Sequence, residues 1–235
     1  MSALPPAAPF RVDPPDAPSV RGILHRPADR PRGAAVLGHG AGSDASTPLL
    51  VALATALAAH GVAALRCDLP FRQARPHGPP RPGDAARDRA GLRAAILALR
   101  SRLEEVGGGP VPWVALGGHS YGGRQASLLL ADEPALAAAL LLLAYPLHPP
   151  RRPAETRIAH FPRLGIPALF VHGTRDQFGT EAELRAAVTA LPGPASLLVV
   201  DGAGHDLGAR SPDTAAMLAR RVVERWLALL PRRIA

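Results

Sequence analysis

Apolar residues recur along this chain in two rhythms. Short unbroken runs suit strands buried on both faces, and between them lie longer stretches where apolar positions return every three or four residues, as on one face of a helix. Val20-Arg21-Gly22-Ile23-Leu24-His25 alternates and predicts a half-exposed strand, whereas Ala34 to Gly38 is continuous and predicts a central, buried one. From Thr47 to His60 the spacing of Leu49, Leu50, Leu53 and Leu57 is helical, and His60-Gly61 closes the helix. Val62 to Arg66 is the next strand. Asp84 to Val106 is a long helix with Leu92, Ile96, Leu99 and Leu103 along one face. Trp113 to Leu116 is a strand followed by a helical stretch from Arg124 to Ala131. Beyond it the pattern predicts strands at 138–144, 168–172 and 196–200, and helices at 180–191 and 212–230. This alternation implies an α/β domain with a mainly parallel sheet and helices on both faces.

Two connections interrupt the rhythm. Pro70 to Pro82 holds five prolines with Arg72, Arg75, His77 and Arg81, and predicts a long loop; 145–162 is a second Pro- and Arg-rich connection. Residues 1–19 hold six prolines and predict a surface segment with a short edge strand near Phe10-Arg11-Val12, leaving 20–235 as one domain. No internal repeat marks a second domain.

Ligands of open parallel sheets sit at the carboxyl ends of the strands, so the polar residues there carry the candidate chemistry. The stretch Gly117-Gly118-His119-Ser120-Tyr121-Gly122-Gly123 joins a strand to a helix. Its Gly-x-Ser-x-Gly core suits a sharp turn: glycines allow the strand and helix to approach closely, and the serine hydroxyl is lifted above the sheet. A hydroxyl is too weakly acidic to attack a carbonyl unless a base takes its proton. His205, in the Gly-rich loop after the last strand, is the candidate base. Asp176, after the strand ending near 171, is the candidate that orients His205 and stabilises its imidazolium. Asp201 and Asp206 are rivals for that role, but they lie so close to His205 in sequence that facing its ring is harder. The order Ser, Asp, His is that of a serine nucleophile placed on such a turn.

An acyl intermediate also needs two N–H donors for its oxyanion. Tyr121, next to the nucleophile, supplies one; Ala41, in the Gly-rich turn after Val36-Leu37, is chosen for the other, with Gly40 and Gly42 as alternatives. His39, His119 and His172 sit beside glycines at strand ends and read as packing or hydrogen-bonding residues. Asp68 reads as a buried structural carboxylate paired with Arg66 or Arg72.

Composition changes the picture little. The net charge of +8 and pI near 11.3 invite a nucleic-acid reading. However, the chain contains neither lysine nor asparagine, so all 27 strongly basic residues are arginine, a bias expected of a GC-rich coding sequence. The arginines are scattered and have no aromatic residues interleaved for base stacking, so no nucleic-acid partner is expected. The single Cys67 excludes an intrachain disulfide. Residues 1–10 lack a basic and an apolar segment of a secretory signal, and the longest apolar run, Ala135 to Tyr145, is too short to span a bilayer. The expectation is a cytoplasmic protein with no membrane partner, its oligomeric state unread. No His-x-x-x-His, His-Glu-x-x-His or Cys-His pairing predicts a metal, and no Gly-x-Gly-x-x-Gly or P-loop lysine predicts a cofactor.

A resemblance rests on His39-Gly40-Ala41-Gly42, Gly118-His119-Ser120-Tyr121-Gly122-Gly123-Arg124, Leu143-Ala144-Tyr145-Pro146-Leu147-His148, His172-Gly173-Thr174-Arg175-Asp176 and Gly204-His205. Over roughly 20–230 the chain resembles the small α/β-hydrolases called KANL/testis-expressed-like, close to the dienelactone hydrolases. The resemblance implies an α/β-hydrolase fold without a large cap and assigns the triad to Ser120, Asp176 and His205. It departs at one point: dienelactone hydrolases proper use a cysteine nucleophile, where this chain has Ser120. The expected activity is hydrolysis of a small ester or thioester through an acyl-enzyme. The alternative is a non-catalytic binding or scaffold module on the same fold. The arginines of 70–82 and 145–162 raise a further expectation, a preference for an anionic acyl group.

Overall fold

A computed structural model describes residues 5–107 and 109–230. Its strands are β1 (Ala8–Val12), β2 (Val20–His25), β3 (Gly33–Gly38), β4 (Val62–Cys67), β5 (Val114–His119), β6 (Leu140–Leu143), β7 (Ala168–Gly173) and β8 (Ala195–Val200). They form one sheet in the order β1-β2-β4-β3-β5-β6-β7-β8. The first two pairings, β1 with β2 and β2 with β4, are antiparallel, and every later one is parallel. The carboxyl ends of β4, β3, β5, β6, β7 and β8 therefore share one edge.

Helices cover both faces. On one side α1 (Pro48–Ala59) and α6 (Pro212–Leu229) bury Leu50, Leu53, Leu57, Val222 and Trp226 against the sheet face that carries Leu37, Ala64, Leu141 and Val171. Removal of each such leucine from water contributes about 1.5–3 kcal/mol. Trp226 stands edge-on to Trp113 at 6.1 Å and donates its indole N–H to Leu140 O at 3.2 Å, so its one polar atom is satisfied in the core. On the other side lie α3 (Asp84–Gly107), α4 (Tyr121–Asp132) and α5 (Glu181–Val188), with Leu92, Leu99, Leu130 and Leu184 inward. Thr180 with Glu183 and Ser211 with Thr214 form capping boxes that satisfy the first N–H groups of α5 and α6.

The strand and helix assignments follow the hydrophobic pattern, with one correction. The stretch beginning at Pro70 is not all loop: Pro70–Ala74 forms a short helix, α2. Pro70 occupies its first position, where a missing N–H costs nothing. Phe71 is its fully buried anchor. The predicted edge strand near Phe10 is β1, held to the sheet by Phe10, which is 3% exposed.

Candidate active site at the carboxyl edge

The turn between β5 and α4 carries Ser120 with φ 50° and ψ −113°, a conformation that costs a non-glycine residue roughly 1–3 kcal/mol. Neighbouring backbone holds it there. Ser120 N–H donates to Leu143 O at 2.8 Å, and Gly122 N–H donates to His39 O at 3.0 Å. The second contact requires glycine. A Cβ on residue 122 would lie 2.5 Å from Gly38 C and 2.7 Å from His39 O, inside the β3 backbone.

Two distant loops deliver their side chains to this turn. His205 Nε2 lies 2.7 Å from Ser120 Oγ, and His205 Nδ1 lies 2.8 Å from Asp176 Oδ2. Asp176 is wholly buried at its carboxylate, whereas the imidazole keeps 21% exposure. A carboxylate only accepts, so Nδ1 carries the proton and the Nε2 lone pair faces the hydroxyl. The other carboxylate oxygen, Oδ1, accepts Phe178 N–H at 2.9 Å. Both rivals are engaged elsewhere: Asp201 accepts from the Thr174 hydroxyl and Asp206 pairs with Arg210.

Three further residues support this arrangement: Phe178, which the sequence reading missed, and His172 and His119, which it read as hydrogen-bonding residues without their partners. The Phe178 ring lies against His205 with centroids 4.2 Å apart. His172 Nε2 donates to Gly179 O at 2.9 Å and so pins the loop that carries Asp176. On the far side His119 Nε2 donates to the carbonyl of His205 at 2.8 Å, tying the backbone of His205 to the residue before Ser120. Burial pushes the His119 pKa down to about 4, which keeps the ring neutral and fixes that tautomer. Only the adjacency of His119 to Ser120 hinted at this; its partner, 86 positions away, is invisible before folding.

The second wall of the site is the turn from Gly40 to Ser43, closed by Ser43 N–H to Gly40 O at 3.2 Å. The amide N–H groups of Ala41 and Tyr121 donate to nothing within the described chain; those of Gly40 and Gly42 are equally free. Arg72 from α2 anchors the turn. Its guanidinium donates to Ser43 O at 2.9 Å, Ala41 O at 3.1 Å, Arg75 O at 3.2 Å and Gly78 O at 3.1 Å. Phe71 stands between the His39 and Tyr121 rings, 5.5 and 5.6 Å away. His39 itself donates from Nδ1 to Gly40 O at 2.8 Å and accepts Leu69 N–H on Nε2 at 3.0 Å. Buried Asp88 of α3 joins the two sides, accepting the Tyr121 hydroxyl at 2.7 Å and Phe71 N–H at 2.9 Å.

One expectation falls here and a second narrows. Asp68 is half-exposed and accepts Ala45 N–H at 2.8 Å rather than pairing with Arg66 or Arg72. Arg66 instead donates to His25 Nε2 at 2.9 Å and to Ala45 O at 2.5 Å. The arginines of 70–75 are likewise spent within the fold, Arg72 on four carbonyls and Arg75 on Asp84 at 2.5 Å, so neither reaches toward a ligand. Cys67 is buried and its thiol pKa is pushed up to about 12 by burial, far from thiolate chemistry. Among the described residues no group of three or more His, Cys, Asp or Glu is placed to hold a metal, and no helix is long and apolar enough to cross a membrane.

Solved structures share this architecture. A dienelactone hydrolase from Anabaena variabilis ATCC 29413 is 20% identical with a TM-score of 0.72, covering 97% of this chain and 99% of its own. An alpha-beta serine hydrolase homologue from Coxiella burnetii is 20% identical with a TM-score of 0.68, over 91% and 95%. XC6422 from Xanthomonas campestris, described as a serine hydrolase without lid, is 18% identical with a TM-score of 0.67, over 98% and 100%. At these identities the likeness establishes the fold. The family model described as "Alpha/beta hydrolase domain" matches residues 31–228, most of the chain. Taken with the eight-stranded, mostly parallel sheet, that match makes the chain a member of the alpha/beta hydrolase domain family.

Proposed function

We propose that this protein is a serine hydrolase that cleaves a small ester or thioester through an acyl-enzyme. The observation that carries the reading is the unbroken line from Ser120 Oγ to His205 Nε2 to Asp176. Ser120 Oγ attacks the acyl carbonyl while its proton passes to His205 Nε2, and the buried carboxylate of Asp176 stabilises the imidazolium. Collapse of the tetrahedral intermediate expels the alkoxide or thiolate, which takes the proton from His205. Water, deprotonated by the same imidazole, then attacks the Ser120 ester and releases the acid. The intermediate's oxyanion is received by Tyr121 N–H, at the positive end of α4, and by Ala41 N–H across the turn.

Serine rather than cysteine directs the chemistry to general-base catalysis, because a hydroxyl relies on His205 where a thiolate would not. The relation to the KANL/testis-expressed-like group rests on the motifs quoted above and does not fix a substrate. The test is a panel of p-nitrophenyl esters and acyl-CoA thioesters with the wild type and Ser120→Ala. Turnover by the wild type and its loss in the variant are expected. Equal rates would remove Ser120 from the chemistry, and no turnover by either would favour the scaffold alternative.

A further inference from the structure

The two oxyanion donors proposed above belong to separate segments, Ala41 on the turn after β3 and Tyr121 at the start of α4. Such a pair serves an oxyanion only if neither member drifts, because each donor must lie about 2.7–3.1 Å from one oxygen position. Behind the pair runs a continuous line of hydrogen bonds. It begins at the Tyr121 hydroxyl, which donates to Asp88 Oδ2 at 2.7 Å, while Asp88 Oδ1 accepts Phe71 N–H at 2.9 Å. Phe71 is the second residue of α2. Two residues back, Leu69 N–H donates to His39 Nε2 at 3.0 Å, and His39 Nδ1 donates to Gly40 O at 2.8 Å. That carbonyl belongs to the planar peptide unit that carries Ala41 N–H, so fixing the one fixes the other. Burial pushes the His39 pKa down, which leaves the Nε2 lone pair free to accept. The line thus starts on the side chain of one donor residue and ends on the peptide plane of the other.

Asp88 is the midpoint of this line, and a carboxyl is a costly choice there. It is wholly withdrawn from solvent, its two oxygens accept from neutral donors, and burial pushes its pKa up. Packing alone does not require it. A Cβ at Gly91, one turn along α3, would meet the Pro70 ring at 2.5 Å, so α3 and α2 already touch as closely as they can. Arg89 separately ties α3 to α4 by donating to Gln125 Oε1 at 3.0 Å. What the carboxyl adds is a pair of short, directed bonds to the two elements that frame the donors.

Resting on the hydrolase reading of Ser120, we infer that Asp88 is a positioning residue for the oxyanion hole: by joining the Tyr121 side chain to α2, it sets the separation of the Tyr121 and Ala41 N–H groups without touching substrate. Arg72, which holds Ala41 O and Ser43 O from the same short helix, carries that setting to the far side of the turn. The oxyanion exists only after attack on the carbonyl, so the role belongs to the chemical step and not to substrate capture.

The experiment measures hydrolysis of p-nitrophenyl butyrate, with kcat expressed per active site and sites counted by end-point fluorophosphonate labelling, so that unfolded protein drops out. Asp88→Ala is expected to lower kcat on the order of ten- to a hundredfold with KM within about twofold of the wild type. Tyr121→Phe, which removes one oxygen and leaves the backbone donor in place, is expected to lose kcat in the same way, and it carries the test should Asp88→Ala fail to fold. The double variant is expected to lose no more than the greater single loss, because both cut one line. Asp88→Asn can accept Phe71 N–H and donate to Tyr121 Oη, and is expected to recover most of the loss. Arg89→Gln, which loosens α3 from α4 outside the line, is expected to keep the wild-type kcat. The rate of fluorophosphonate labelling, whose phosphonyl oxygen takes the same two donors, should follow kcat through the series. Wild-type kcat and labelling rate in Tyr121→Phe and Asp88→Ala, a loss confined to KM, or an equal loss in Arg89→Gln overturns the role and leaves the hydrolase standing. A wild type that neither turns over nor labels overturns the hydrolase reading, and this role with it.

Discussion

Asp176→Asn alters one atom at the buried end of the line through His205, and the structure fixes what that atom does. Asp176 Oδ1 accepts Phe178 N–H at 2.9 Å, so the surviving carbonyl oxygen of asparagine is drawn to that position. The new amide nitrogen then faces His205 Nδ1 across the former 2.8 Å contact, where it can only donate. The imidazole answers by moving its proton to Nε2, which turns a donor toward Ser120 Oγ and abolishes the base. The imidazolium needed in the transition state also loses a desolvated countercharge. In the general serine triad these two effects together are worth about a thousand- to ten-thousandfold in turnover, or ~4–5.5 kcal/mol of barrier. The volume of the side chain is unchanged, so the fold should hold. The assay is the second-order rate of fluorophosphonate labelling, paired with circular dichroism and a thermal melt. Labelling within tenfold of the wild type by a folded variant would refute the reasoning.

Other perturbations probe the supports. Gly122→Ala drives a Cβ to 2.5 Å from Gly38 C, so β3 and α4 must part; a loss of several kcal/mol of stability is expected in a urea melt, and a wild-type midpoint would contradict the packing. Arg72→Lys keeps the charge but cannot serve four carbonyls, so it should cost roughly 1–3 kcal/mol of stability and lower kcat/KM at least several-fold; unaltered catalysis would free the 40–43 turn from its anchor. Burial lowers the pKa of His25, His119 and His160 to about 4, from about 6.5 in the unfolded chain. Between those values the unfolded state binds more protons, so stability is full above pH 6.5 and falls as pH drops toward 4, on the order of 1–3 kcal/mol per histidine. A melting temperature flat from pH 7 to pH 4.5 would contradict this.

The fold and the three residues that meet at the carboxyl edge were legible because both are written locally. Unbroken runs such as Val62 to Leu65 and Leu140 to Leu143 can be buried on both faces only in a central sheet. Ser120, Asp176 and His205 each sit in a short Gly-rich or turn-forming segment directly after such a run. What escaped depends on contacts between distant segments. Arg72 looked like a pocket cation in a Pro-rich stretch, and only the packing of α2 under the 40–43 turn directs its donors to carbonyls. Asp68 looked like a partner for Arg66, but Ala45 N–H reaches it first. Asp88 lies on a helix whose periodicity marks the position merely as inward, and its bonds to Tyr121 and Phe71 exist only once three elements meet.

The central claim, that Ser120 is a nucleophile activated by His205, is tested most directly by treating the protein with a fluorophosphonate and mapping the adduct by peptide mass spectrometry. The account predicts one equivalent of label on Ser120, abolished in His205→Gln while that variant melts like the wild type. An unlabelled Ser120 in a folded wild-type protein, or full labelling without His205, would contradict it.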